Sequence, residues 1–223
     1  MRCPLCLWDE WEDYPARHDS RRYVACRHCG SDVVRLEPLL SFEDSLGIYG
    51  QDYFEEMQAD GHLDDGRAAD FADYGLLAPE FESFVEFGPG GDQVLKWLRG
   101  FGKYVEAVDI NRSTVDHLRA QGIPAHLTAL ELERDLFDVA LSYHYLEHVR
   151  NPLLELRYQA AIAKLVFLHV PVGLAELGNR DHNWLISAEA LAKISERFGT
   201  IVRSDIRRYP VGPALQLLIE VER

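Results

Sequence analysis

From residue 84 onward short β-rich runs alternate with stretches of helical period, and this alternation limits the fold more than any other feature. Residues 84–87, 104–108, 125–127, 137–142 and 165–170 are apolar and rich in β-branched or aromatic side chains, as strands buried on both faces must be. Between them lie residues 94–98, residues 113–121 (Val115 and Leu118 on one face, Gly122 as the stop) and a stretch running to about Ala163; residues 188–198 follow the fifth run. Strands separated by helices imply an α/β fold with a doubly wound, mostly parallel sheet. Residues 201–207 and 215–221 are expected to pair as the last of seven strands.

The chain has 223 residues, 47% of them hydrophobic, which suits one such domain with a small appendage. No run approaches the length of a membrane span, and Met1-Arg2-Cys3-Pro4 does not open a secretory leader, so a cytoplasmic protein is expected. The net charge of −14 is concentrated: residues 41–90 carry 13 acidic side chains against Arg67 alone, a net −12. Such a segment repels phosphate backbones, which makes nucleic acid a poor partner. Residues 41–83 read as an acidic helical bridge, or lid, over the front of the next domain, with a helical pattern from Asp70 to Leu77. Tyr49 and Tyr53 in it suit either a pocket wall or plain core packing.

The cysteines are Cys3, Cys6, Cys26 and Cys29: C-x2-C, a gap of 19 residues, and C-x2-C. Two such knuckles can close a tetrahedral four-thiolate shell around zinc, and Pro4 and Gly30 suit the turns. A closed shell leaves no position for substrate, so Zn2+ is expected to be structural, within a zinc ribbon over residues 1–40. His18 and His28 are weaker substitutes for one thiolate.

Residues 84–223 then form the main domain. Its first strand ends in Glu86-Phe87-Gly88-Pro89-Gly90-Gly91, and its second ends at Asp109, 21 positions beyond Gly88. Glycines there let the backbone pass close to a ligand, and a carboxylate at the second strand's end can accept from both hydroxyls of a ribose. A nucleoside-containing ligand follows. A dinucleotide fingerprint would need glycine where Gln93 stands, and Glu86 would repel a pyrophosphate; it suits a cationic amino-acid end instead.

These residues resemble motif I of class I S-adenosylmethionine-dependent methyltransferases, which have a Rossmann-like sheet. Phe137-Asp138-Val139-Ala140-Leu141-Ser142 is similar to the fourth-strand motif. Leu146-Glu147-His148-Val149-Arg150-Asn151-Pro152 and Phe167-Leu168-His169-Val170-Pro171 resemble segments of the family's small-molecule branch. The resemblance implies that Glu86, Phe87, Gly88, Pro89, Gly90, Asp109, Ile110 and Ser142 hold S-adenosylmethionine. The family's last motif-I glycine is Asp92 here. The order of ribbon, Tyr-rich segment and methyltransferase domain resembles the front of bacterial sugar C-methyltransferases, whose sugar substrate is not carried over. The ribbon also resembles that of a ribosomal RNA guanine methyltransferase, against which the −12 segment argues.

The expected function is therefore methyl transfer to the oxygen, nitrogen or carbon of a small-molecule acceptor in biosynthesis. A non-catalytic zinc-ribbon adaptor, suggested by Asp92, and an RNA methyltransferase are the alternatives. Candidate catalytic residues lie beyond strands four and five: Tyr143, His144 as the favoured base, and His182. His144-Tyr145-Leu146-Glu147-His148 also fits H-x-x-E-H, a zinc-protease pattern. That pattern needs one continuous helix, whereas here it straddles a strand end, so the protease reading is set aside. His148 is expected to anchor the start of the next helix.

Overall fold

The computed structural model describes residues 2–15, 22–50, 65–91, 93–132, 136–172, 182–209 and 212–222, together with Asp52 and Glu55. Strands β1 (Trp11–Tyr14), β2 (Arg22–Cys26) and β3 (Gly30–Glu37) form an antiparallel meander. Helix α1 (Phe42–Ile48) follows, started by a capping box in which Ser41 and Asp44 satisfy each other's backbone N–H. Helix α2 (Asp65–Asp73) precedes the main domain.

That domain runs β4 (Ser83–Phe87), α3 (Gln93–Gly100), β5 (Tyr104–Val108), α4 (Arg112–Ala120), β6 (Ala125–His126), β7 (Phe137–Tyr143), α5 (Pro152–Ile162), β8 (Ala163–Pro171), β9 (Trp184–Ile186), α6 (Ala188–Ser195), β10 (Gly199–Tyr209) and β11 (Gly212–Val221). Seven of these strands form one sheet in the order β10-β11-β8-β7-β4-β5-β6. β4 to β8 pair in parallel, and β11 and β10 join antiparallel. The sheet matches the expected α/β architecture, including the final hairpin.

Alternation along each strand fills both faces. Val85, Phe87, Leu168 and Leu217 pack with Trp184, Leu191 and Ile194 on one. Phe84, Val139, Leu141 and Phe167 pack with Phe71, Leu95 and Leu118 on the other. Asp138, buried low in the sheet, is satisfied: it accepts from the Glu82 and Ser83 backbone N–H, the Ser83 hydroxyl and Lys164, at 2.7–2.9 Å.

Two features depart from the linear reading. The ribbon is not a separate unit, because β9, from the far end of the chain, pairs with β3 and completes a four-stranded sheet. The acidic bridge also sends a carboxylate into the core. Asp70 is buried, receives the Tyr143 hydroxyl at 2.5 Å and pairs with Arg207.

Candidate active site

The chain progresses from β4 to β5 and β6 on one side, then crosses to β7 on the other. The carboxyl ends of β4 and β7 therefore part at the switch point, where open α/β sheets bind ligands. The turn after β4 fills this place. Gly88 and Gly90 hold φ of 64° and 63°, which L side chains rarely adopt, and a Cβ on Gly88 would meet Tyr145 Cδ2 at 2.5 Å. The Gly88 N–H donates to the Val108 carbonyl. Asp109 accepts from the Gly90 N–H (3.2 Å) and the Asn111 N–H (2.7 Å), so this acid also pins the loop.

Two carboxyls here are held in costly surroundings. Burial pushes Glu86 up to about 7, with Arg67 opposing and Asp109 reinforcing the rise. Burial pushes Asp109 up to about 6 in spite of its two N–H donors. Glu86 is 2% exposed, and its Oε2 has no hydrogen-bond partner among the described residues. A buried carboxylate oxygen left unpaired is unfavourable on its own and calls for a donor or cation from elsewhere.

Beside the loop lies a cavity of about 340 Å3. Gly88, Gly90, Val108, Asp109 and Ile110 line it from the loop and the end of β5, and Ser45 and Tyr49 line it from α1 and its C-cap. His144, Tyr145, His148, Arg150 and Asn151 from the segment after β7, with Leu154 and Glu155 of α5, complete the lining. The bridge thus contributes lining, and of the two roles left open for Tyr49 the structure gives it the pocket one; Tyr53 and Asp92 lie outside the described residues. Asn111 caps α4 and also donates to the Tyr49 and Gly50 carbonyls, tying the α1 end to the loop.

The segment after β7 gathers imidazoles around one carboxylate. His144 has φ of 46°, unusual for a side chain with a Cβ, and its N–H donates to the His169 carbonyl. Its Nδ1 stands 3.3 Å from Glu147 Oε1, and His148 Nε2 stands 3.6 Å from the same oxygen. Glu147 is 2% exposed; burial works to raise its pKa, but His148, His144 and His182 outweigh it and hold it down at about 2. His148 does not anchor a helix, since α5 is capped by Asn151 with Pro152 in its first turn. Instead its Nδ1 lies 2.6 Å from the Tyr49 Oη, and its carbonyl accepts from the Asn183 side chain.

Of the residues singled out in the sequence, Gly88, Gly90, Asp109, Ile110 and His144 line the cavity. Glu86 is buried at the end of β4, behind the loop. Phe87 packs in the core with its ring 6.0 Å from that of Tyr145, and Ser142 is fully buried in β7; neither lines the cavity. Pro89 shapes the turn without reaching it. Tyr143 also stays in the core, with its hydroxyl on Asp70, its ring stacked on His169 at 4.4 Å and the Arg67 guanidinium 5.0 Å above its face. Burial keeps His169 down at about 3, a neutral ring behind His144. His182 is buried beside His148, ring centroids 4.8 Å apart. The lining residues Asn111 and Glu155 carry no recognisable sequence signal, whereas Arg150 and Asn151 fall within the Leu146–Pro152 segment already singled out.

At the other end of the chain the four cysteines converge. Their sulfurs lie within 4.8 Å of one another, with Cys3–Cys29 at 3.9 Å and Cys6–Cys26 at 3.4 Å, and none is in a disulfide. A tetrahedral site with 2.3 Å bonds has edges of about 3.8 Å, close to these spacings. Gly30 turns the second knuckle at φ 59°, and Arg197 donates to the Pro4 and Leu5 carbonyls of the first. No helix among the described residues is long and apolar enough to cross a membrane.

The fold and its loop define a class I methyltransferase domain, and the comparisons agree. The methyltransferase-domain family matches residues 59–204, and the chain belongs to it. No curated protein sequence matches. Among solved structures, a Burkholderia thailandensis 1,6-didemethyltoxoflavin-N1-methyltransferase with bound 1,6-didemethyltoxoflavin and S-adenosylhomocysteine is similar at 14% identity and a TM-score of 0.55; the match covers 95% of this chain and 100% of that one. A magnesium protoporphyrin IX methyltransferase from Synechocystis PCC 6803 with bound S-adenosylmethionine is similar at 16% identity and a TM-score of 0.54, over 71% and 77% of the two chains. The [4+2]-cyclase SpnF shares the fold too, at 12% identity and a TM-score of 0.52, over 63% and 74%. The fold alone therefore does not name the reaction, and the site must.

Proposed function

We propose that the protein binds S-adenosylmethionine and transfers its methyl group to a small-molecule acceptor. The observation that carries this reading is Glu86: a buried carboxylate with an oxygen lacking a protein partner, behind a loop that only glycine can form and beside Asp109. The amino-acid end of the cofactor supplies an ammonium for Glu86. Asp109 accepts from the ribose hydroxyls with the lone pairs its backbone donors leave, and Val108 and Ile110 offer apolar contact to the base. When bound, the cofactor supplies a methyl group on a sulfonium, transferred in line.

The acceptor occupies the part of the cavity walled by Tyr49, His148 and Arg150. His144, held at its unusual φ and 39% exposed at the side chain, takes the acceptor's proton. A cavity of about 340 Å3 is of the size that takes a small acceptor. The four cysteines hold a structural zinc as thiolates, and thiolates kept out of disulfides fit a reducing compartment such as the cytoplasm.

Calorimetry with S-adenosylmethionine and S-adenosylhomocysteine tests the cofactor; failure to bind either leaves an adaptor. His144→Ala should lose at least about a hundredfold in turnover with cofactor affinity unchanged. Equal turnover would remove His144 as the base.

A further inference from the structure

Within the H-x-x-E-H segment Glu147 has no part in the proposed methyl transfer, and the structure gives the segment a different geometry from a protease helix. Glu147 and His148 lie in a turn after β7, and His182 arrives from just before β9. Each offers a ligand atom, all within 4.8 Å of one another. Glu147 is almost wholly buried; its Oε1 stands between His144 Nδ1 and His148 Nε2, at 3.3 and 3.6 Å, and its Oε2 has no hydrogen-bond partner among the described residues. The 3.6 Å between His148 Nε2 and Glu147 Oε1 is close to the about 3.4 Å edge of a tetrahedron with bonds near 2.1 Å.

The surroundings are built to hold these atoms still. Asn183 and Trp184 donate their N–H groups to the Glu147 carbonyl, and the Asn183 side chain donates to the His148 carbonyl. The Trp184 indole donates to the Val149 carbonyl, and Asn183 Oδ1 accepts from Leu40. With Nε2 on a metal, His148 would carry its proton on Nδ1 and donate it to the Tyr49 Oη 2.6 Å away, the outer hydrogen bond typical of ligating histidines.

We propose that Glu147, His148 and His182 bind a divalent transition metal of the Zn2+, Mn2+ or Fe2+ class at the edge of the cavity, separately from the four-cysteine site. Two imidazoles and a carboxylate are three ligands, the number that leaves a position open. His148 lines the cavity, so that position faces the space assigned to the acceptor. An acceptor oxygen, hydroxyl or carboxylate, completes the shell there. The metal site itself stands independently of methyl transfer; only the identity of that oxygen rests on it.

The test uses the full chain with zinc retained in the cysteines, titrated with Co2+ by calorimetry and absorption. One further equivalent should bind, with weak ligand-field bands and without thiolate charge-transfer bands. Glu147→Gln and His182→Gln should each weaken it at least about a hundredfold, and Tyr49→Phe about tenfold, while the retained zinc and the melting temperature report that each variant is folded. Absence of a second equivalent, or binding unchanged in both ligand variants, overturns the site and leaves Glu147 as an acceptor that orients the neighbouring imidazoles. Metal binding in a protein that binds neither S-adenosyl nucleoside would keep the site and discard the methyl-transfer reading.

Discussion

Glu86 offers the sharpest test, because its environment fixes both a sign and a size. Burial pushes this carboxyl from 4.5 up to about 7, so holding it ionised costs about 3 kcal/mol relative to water. An ammonium needs the ionised form. Between pH 7 and pH 6 the ionised fraction of Glu86 falls about fivefold and that of Asp109, pushed up to about 6, about twofold. Affinity for S-adenosylhomocysteine, measured by calorimetry, should therefore fall on the order of tenfold over that single pH step. In Glu86→Gln only the Asp109 part survives, about twofold, on an affinity already weaker at pH 7. Stability moves the other way. A carboxyl whose folded pKa is raised costs stability as pH climbs from 4.5 to 7, so the ligand-free wild type should lose up to about 3 kcal/mol against Glu86→Gln over that range. A pH-independent wild-type affinity, or the same slope in the variant, would refute the assignment of Glu86 to the ammonium.

Three further outcomes follow from single contacts. Asp138 is held down at about 2, burial being outweighed by Lys164 and the Glu82 and Ser83 donors; Asp138→Asn should cost about 2 kcal/mol in urea unfolding at pH 7. Because the folded pKa is depressed, that contribution is complete above pH 3.8 and is lost as pH falls through 2. Gly88→Ala combines a positive φ with a 2.5 Å approach to the Tyr145 ring, and should weaken cofactor binding more than tenfold by calorimetry while the far-ultraviolet circular dichroism stays near wild type. Chelating the zinc proposed at the four cysteines should raise amide exchange not only in residues 2–37 but also in residues 182–187, since β3 holds β9 and the Leu36 N–H donates to the Asn183 carbonyl. Exchange unchanged at 182–187 would mean that the ribbon does not support His182.

The strand–helix alternation, the glycine loop, Asp109 and the paired C-x2-C knuckles were all legible in the sequence, because each is a local pattern whose physics acts within a few residues. Periodicity decides which faces are buried, glycine decides where the backbone can take a positive φ, and cysteine spacing decides which sulfurs can converge. What depends on distant segments meeting was not legible. Nothing local marks β9 as a ribbon strand, Tyr143 as a core partner of Asp70 and Arg207, or His148 as a neighbour of Tyr49 and His182 rather than a helix anchor. Those roles arise where β7 ends, where α1 closes over the loop and where the ribbon returns to the sheet. The sequence by itself determined the fold class and the loop that would take a nucleoside; only the tertiary structure decided which carboxylates are buried, and so which must find a cation, because burial is set by neighbours far along the chain.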